Sequence, residues 1–161
     1  MAFPIRPFRI TDADAVAALT LAAINVTGLR AYSPEQVTAW SARYAVQRIL
    51  DGAVKGDVIL VAVDPADRPV AYTTLEADGH LEMLYCHPDY TGHGLAWRLL
   101  VEAEAAALNA GLVRLFTEAS ELARPVFLRA GYALLRRRDF TIGPADAPVA
   151  IHNYAMEKRL G

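Results

Sequence analysis

The stretch from Leu84 to Trp97 reads Leu-Tyr-Cys-His-Pro-Asp-Tyr-Thr-Gly-His-Gly-Leu-Ala-Trp, and its residue types and spacing suit it to hold an anion. The residues through Cys86 end a strand, Gly92 and Gly94 make a turn, and the Leu- and Ala-rich run that follows opens a helix. Glycine lets a backbone approach a ligand with no Cβ in the way. The first turn of a helix offers unpaired N–H groups and the positive end of its dipole. Together these favour a phosphate held by amides rather than by side-chain cations. A tight strand-to-helix turn that binds nothing has the same pattern, so two glycines alone do not separate the readings. Other chemistries are poorly served. The single cysteine, Cys86, cannot build a zinc site, and histidines 80, 87, 93 and 152 lack metal-ligand spacing, so no metal is expected. Cys86 reads as a small apolar strand residue rather than a nucleophile.

The elements around this segment follow from local signals. Ile5 to Ile10 reads as a strand, and Thr11 to Asp14 as a capping box opening a helix to about Thr27. Ser33-Pro34-Glu35-Gln36 is a second helix start, with Val37, Trp40 and Tyr44 on one face of a helix running to about Leu50. The apolar run Val58 to Val63 predicts a strand covered on both faces. Asp64 to Arg68 then turns the chain into a strand from Pro69 to Leu75, and Asp78-Gly79 turns it again into a strand from His80 to Cys86. Gly94 to Ala110 is a helix stopped by Gly111. Leu112 to Thr117 is a strand, Glu121 to Ala130 a short helix, and Tyr132 to Ile142 and Ile151 to Lys158 are closing strands. The order β-α-α-β-β-β-α-β-α-β-β describes an α/β (α+β) domain with a mixed, largely antiparallel sheet flanked by helices.

Composition narrows the function classes. The 161 residues suit one domain, 1–161, and 54% hydrophobic against 21% charged residues is a globular balance. A net charge of −2 offers no general attraction to nucleic acid or to an anionic membrane. The run Arg136-Arg137-Arg138 reads as a solvated strand or loop end. No stretch reads as ~20 uninterrupted apolar residues, the span of a membrane helix, and the first residues lack a signal peptide's apolar core. With a lone cysteine, these features predict a cytoplasmic protein.

The segment resembles motif A of the GNAT superfamily of N-acetyltransferases, whose phosphate loop reads Q/R-x-x-G-x-G/A after an apolar strand. Thr91 stands at the Gln/Arg position, Gly94 at the first Gly and Ala96 at the Gly/Ala, with His87-Pro88-Asp89-Tyr90 as the connector. Glu118 to Tyr132 is similar to the family's motif B, and Asn153 to Leu160 to its final strand. The resemblance covers essentially the whole chain. It implies acetyl-CoA (CoA) as cofactor, with backbone groups of Leu84, Tyr85 and Cys86 pairing with the pantetheine arm like an added strand. Amides of Gly92, His93, Gly94, Leu95, Ala96 and Trp97 would cradle the pyrophosphate. Ser120 stands where an Asn often contacts the pantetheine, and Phe127 where a Tyr often protonates the leaving thiolate. Thr91 weakens side-chain contact to the phosphates, and Phe127 removes the usual acid.

An amine acceptor must lose a proton before it attacks a thioester, and a positioned carboxylate is the usual base. Glu82 is the first candidate. It shares a strand face with Leu84 and Cys86, and a charge among Leu81, Met83 and Leu84 is costly to bury without purpose. Glu118, at the end of the neighbouring strand, is the second. Tyr32, Trp40, Tyr72 and Glu76 are candidates to line the acceptor site. The expected activity is transfer of acetyl from acetyl-CoA to a primary amine, on a small molecule or a peptide, directly in a ternary complex. A CoA-binding or sensing module with little catalysis is the alternative that Phe127 favours. Exposed strands near the C-terminus would allow a homodimer.

Overall fold

The run Val58 to Val63 becomes a strand because β-branched residues fill a pleat covered on both sides. Ile59, Val61 and Val63 pack with Val16, Leu19 and Tyr72, while Leu60 and Ala62 face Val70, Leu95 and Leu99. Around it the computed structural model describes residues 2–161 in the following order. The elements are β1 (Ile5–Pro7), α1 (Ala13–Asn25), α2 (Pro34–Arg43), α3 (Gln47–Lys55), β2 (Val58–Val63), β3 (Pro69–Leu75), β4 (Leu81–Cys86), α4 (Leu95–Asn109), β5 (Arg114–Ala119), α5 (Arg124–Arg129), β6 (Ala133–Ile142) and β7 (Val149–Arg159). Strands β1-β2-β3-β4 form one antiparallel sheet and β5-β7-β6 another.

The two sheets meet where β4 and β5 begin side by side in parallel. His80 bridges Phe116, the Phe116 amide donates to the Gly79 carbonyl at 3.1 Å, and Thr117 Oγ1 donates to the Leu81 carbonyl at 2.8 Å. Gly79 makes this junction possible. Its φ is +95°, and a Cβ there would lie 2.3 Å from the Arg114 carbonyl oxygen. Past Leu81 no ladder joins β4 to β5 among the described residues, so the two strands diverge.

Ser33 caps α2 as expected. Its Oγ accepts from the Gln36 amide at 3.1 Å, and Gln36 Oε1 accepts from the Ser33 amide at 2.9 Å. Two expectations fail. The second helix does not run to Leu50: Tyr44 is extended (ψ 133°), and α3 restarts at Gln47. The break lets Tyr44, Val46 and Ile49 pack under β2 and β3, while Trp40 turns toward Tyr32. The box at Thr11 to Asp14 does not form either. Asp12 is buried instead, where its carboxylate accepts from the Arg9 amide and from both terminal nitrogens of Arg6. The stretch Ile10–Arg30 is also longer and more apolar than the sequence reading allowed, enough by length and composition to cross a membrane. Here it is a 3-10 turn, α1 and a second 3-10 turn, with Val16, Leu19, Ala23 and Ile24 buried.

Candidate functional site

After β4 the chain makes a 3-10 turn at Pro88–Tyr90, passes Gly92 and Gly94, and enters α4. Both glycines are left-handed, at φ +83° and +71°, and a Cβ on either would meet no protein atom within 4 Å. Backbone conformation, not packing, therefore demands glycine here. Gly94 precedes the helix without a side-chain cap. Among the described residues nothing accepts from the amides of Gly92 through Trp97, and the first return bond runs from Arg98 to Gly94. An uncapped helix end leaves those donors for a ligand or water. They open on a cavity of about 420 Å³ walled by Leu84, Cys86, Trp97, Ser120 and Val126. That fits a diphosphate at the helix end and an extended arm along β4.

Side chains of the turn are withdrawn. Thr91 Oγ1 donates back to the Pro88 carbonyl at 3.1 Å, and the His93 ring packs edge-on against Phe3 at 5.2 Å. Among the described residues the one cation on the cavity wall is Arg129, exposed at the end of α5. Sequence reading overlooked it, because only the tertiary fold carries α5 opposite the glycine turn.

The outer edge of β4 at Leu84, Tyr85 and Cys86 faces the divergence, where β4 is the sheet's last strand. A narrow cavity of about 140 Å³ occupies the divergence, lined by Tyr32, Leu84, Ser120, Phe127 and His152. Trp40, Leu84, Tyr85, Ser120 and Ala123 line both it and the first cavity. On its other side Arg43, Glu82, Glu118, Phe140 and Asn153 line both it and an open basin of about 1280 Å³. Sharing these walls, the three spaces lie in series and outline one path between cleft and basin. Along β4 the face shared by Cys86, Leu84 and Glu82 tracks it from cleft to basin.

Both candidate carboxylates stand at the basin end, and both are paired. Glu82 accepts from Arg48 of α3. Glu118 Oε1 lies 2.8 Å from His80 Nε2, whose Nδ1 lies 2.7 Å from Glu76, which in turn meets Lys55 at 3.1 Å. The bond to Glu118, with Glu76 on the other nitrogen, raises His80 to about 9 against the cost of burial. His80 correspondingly holds Glu118 below the usual carboxylate range. Burial pushes the Cys86 thiol up to about 11, which leaves it protonated and a poor nucleophile.

Two acceptor-site expectations are corrected. Tyr72 is fully buried in β3 and its hydroxyl meets Thr20 at 2.7 Å, so it belongs to the core. Glu76 stands behind His80, bound to it and to Lys55, and lines none of the three spaces. Tyr32 and Trp40 do line the passage, 5.5 Å apart edge to face. His80, Arg48 and His152 line it too, unmarked as site residues by anything local, and so does Arg138, whose run reads in sequence only as a solvated strand or loop end. Among the described residues no group of three or more His, Cys, Asp or Glu is disposed to hold a metal ion.

Residues 28–141 match the family model of the acetyltransferase (GNAT) domain. The uncharacterized N-acetyltransferase YafP of Escherichia coli (strain K12) is 26% identical over 137 residues, covering 83% of each chain. A GCN5-related N-acetyltransferase from Rhodopseudomonas palustris superposes with a TM-score of 0.85 at 29% identity, over 99% of this chain and 97% of that one. The PaiA N-acetyltransferase of Thermoplasma acidophilum, solved with coenzyme A, shares the fold at a TM-score of 0.79 and 19% identity, over 99% and 100%. With an uncapped helix end after β4 and a passage between diverging strands, this chain belongs to the GNAT family of acetyltransferases, which draw their acetyl group from acetyl-CoA.

Proposed function

We propose that this protein is an N-acetyltransferase that passes acetyl from acetyl-CoA directly to a primary amine, both bound at once. The carrying observation is the continuous passage from the amides of α4 to a basin edged by Glu82 and Glu118. Amides of Gly92 through Trp97 hold the pyrophosphate, and Arg129 supplies the side-chain cation that Thr91 does not. The free edge of Leu84, Tyr85 and Cys86 pairs with the pantetheine arm, and Ser120 borders it from the far wall. Acetyl-CoA supplies the activated acetyl thioester. A β4 amide at Leu84 or Tyr85 polarises its carbonyl. Glu82 takes the proton from the incoming ammonium, so that the nitrogen can attack. Glu118, tied to His80, is the second candidate for this role. The acceptor is a small-molecule or peptide amine that enters from the basin.

Calorimetry with CoA and turnover across a panel of amines test this. Micromolar binding with acetylation of at least one amine is expected. Tight binding without turnover on any acceptor would favour a CoA-sensing module, as the missing hydroxyl at Phe127 suggests. Absence of CoA binding would refute both readings.

A further inference from the structure

We propose that His152, held by Glu121, donates the proton to the departing CoA sulfur in place of the hydroxyl that Phe127 lacks. This rests on the acetyl transfer proposed above. His152 and Phe127 line the same narrow cavity as Leu84 and Ser120, two residues that also wall the cofactor cleft. The ring is held from several sides. Its Nε2 lies 2.6 Å from Glu121 Oε2, with the rings of Tyr32 and Tyr154 at 5.5 and 5.6 Å. Glu121 is itself fixed: Tyr154 donates to it at 2.8 Å and Arg124 at 2.7 Å, and its amide donates to the Tyr32 hydroxyl at 2.8 Å. Tyr32 closes the ring by donating to the His152 carbonyl at 3.0 Å.

A carboxylate on one imidazole nitrogen accepts its proton and orients the ring, leaving the other nitrogen for chemistry. Here Nδ1 has no hydrogen-bond partner among the described residues, and the side chain is 17% exposed. Tyr32, Tyr154, Glu121 and Arg124 surround the ring, and Asp139 lies opposite on β6 with Arg137 beside it.

In the step proposed, the amine nitrogen bonds to the acyl carbon and the carbon–sulfur bond breaks with its electron pair on sulfur. The imidazolium passes its Nδ1 proton to that sulfur. Neutral imidazole remains and regains a proton from water. Thiols titrate at about 8.5, far below an alcohol, so the gain is expected at the low end for a general acid, roughly tenfold to a hundredfold in kcat.

The test uses the ring NMR signals of His152, identified by their loss in His152→Asn. CoA is expected to shift them, and desulfo-CoA, bound through the same phosphates but lacking the sulfur, to leave them in place. His152→Asn should lower kcat roughly tenfold to a hundredfold while CoA affinity stays unchanged, and Glu121→Gln should lower kcat by less, because the ring remains and only its orienting partner is lost. Equal responses to CoA and desulfo-CoA, or an unchanged kcat in His152→Asn, would overturn the assignment. If wild type acetylates an amine while His152 ignores the sulfur, this inference falls and the proposed function stands. If CoA does not bind at all, both fall.

Discussion

The proposed cofactor cleft and the proposed acceptor basin lie on either side of one narrow cavity and are made of different material. The cleft is main chain: six consecutive residues around Gly94 present their amides, while Thr91 and His93 turn away. The basin is side chain: Arg48 comes from α3, Glu82 from β4, Glu118 from β5, Arg138 from β6 and Asn153 from β7. A main-chain site depends on conformation and tolerates changes of side-chain chemistry. A side-chain site depends on identity, and each of its charges also depends on a partner delivered by another element.

Substitutions at the two ends should therefore fail in different ways. Glu82→Gln is expected to lower kcat/KM by about 10² to 10⁴ while CoA affinity stays unchanged. Steady-state kinetics beside calorimetry measures both, and loss of CoA binding instead would merge the two regions. Gly94→Val forces a β-branched residue to φ +71°. CoA should bind about 10- to 100-fold more weakly, matching a strain of about 1–3 kcal/mol. Normal affinity in that variant would mean that the amides do not hold the phosphates.

His80 ties the basin to stability. It titrates near 9 in the folded protein against 6.5 as a free side chain. The raised value means that its contribution is full below about pH 6.5 and is lost as pH rises through 9. The contribution is at most about 3 kcal/mol, reduced by solvent screening at the one-third-exposed Glu118. Urea midpoints should fall between pH 6 and pH 9.5 in the wild type, and His80→Gln should flatten that decline. Thr91→Arg carries the smallest expectation, a few-fold tighter CoA binding that weakens with salt. Tightening without salt dependence would point to packing rather than charge.

The parts that were readable share one property: they are local. The Ser33–Gln36 cap, the continuous apolar run of β2 and the glycine turn into α4 each lie within a few residues, where spacing and backbone preference decide. The break at Tyr44 was invisible because the Val37–Trp40–Tyr44 spacing suits one helix. Packing of Tyr44 and Ile49 under the first sheet overrode it. Tyr72 misled for a related reason, since an aromatic with a hydroxyl suits a wet site as well as a dry core. Only the cover from α1 placed it inside, with Thr20 as its partner.

The amino-acid order by itself determined the GNAT architecture and made the proposed cofactor end legible, because a left-handed glycine turn before an amphipathic helix is a local feature. Tertiary structure decided the acceptor end. Gly79 lets β5 pass so close that a Cβ there would lie 2.3 Å from the Arg114 carbonyl oxygen, and the divergence beyond that junction opens the passage. Arg48 meets Glu82, and His80 meets Glu118, across 34 and 38 residues of chain. His152 meets Glu121 across 31. Pairings of that range leave no periodicity in a sequence, because they are set by how two sheets are docked and not by how any one element is wound.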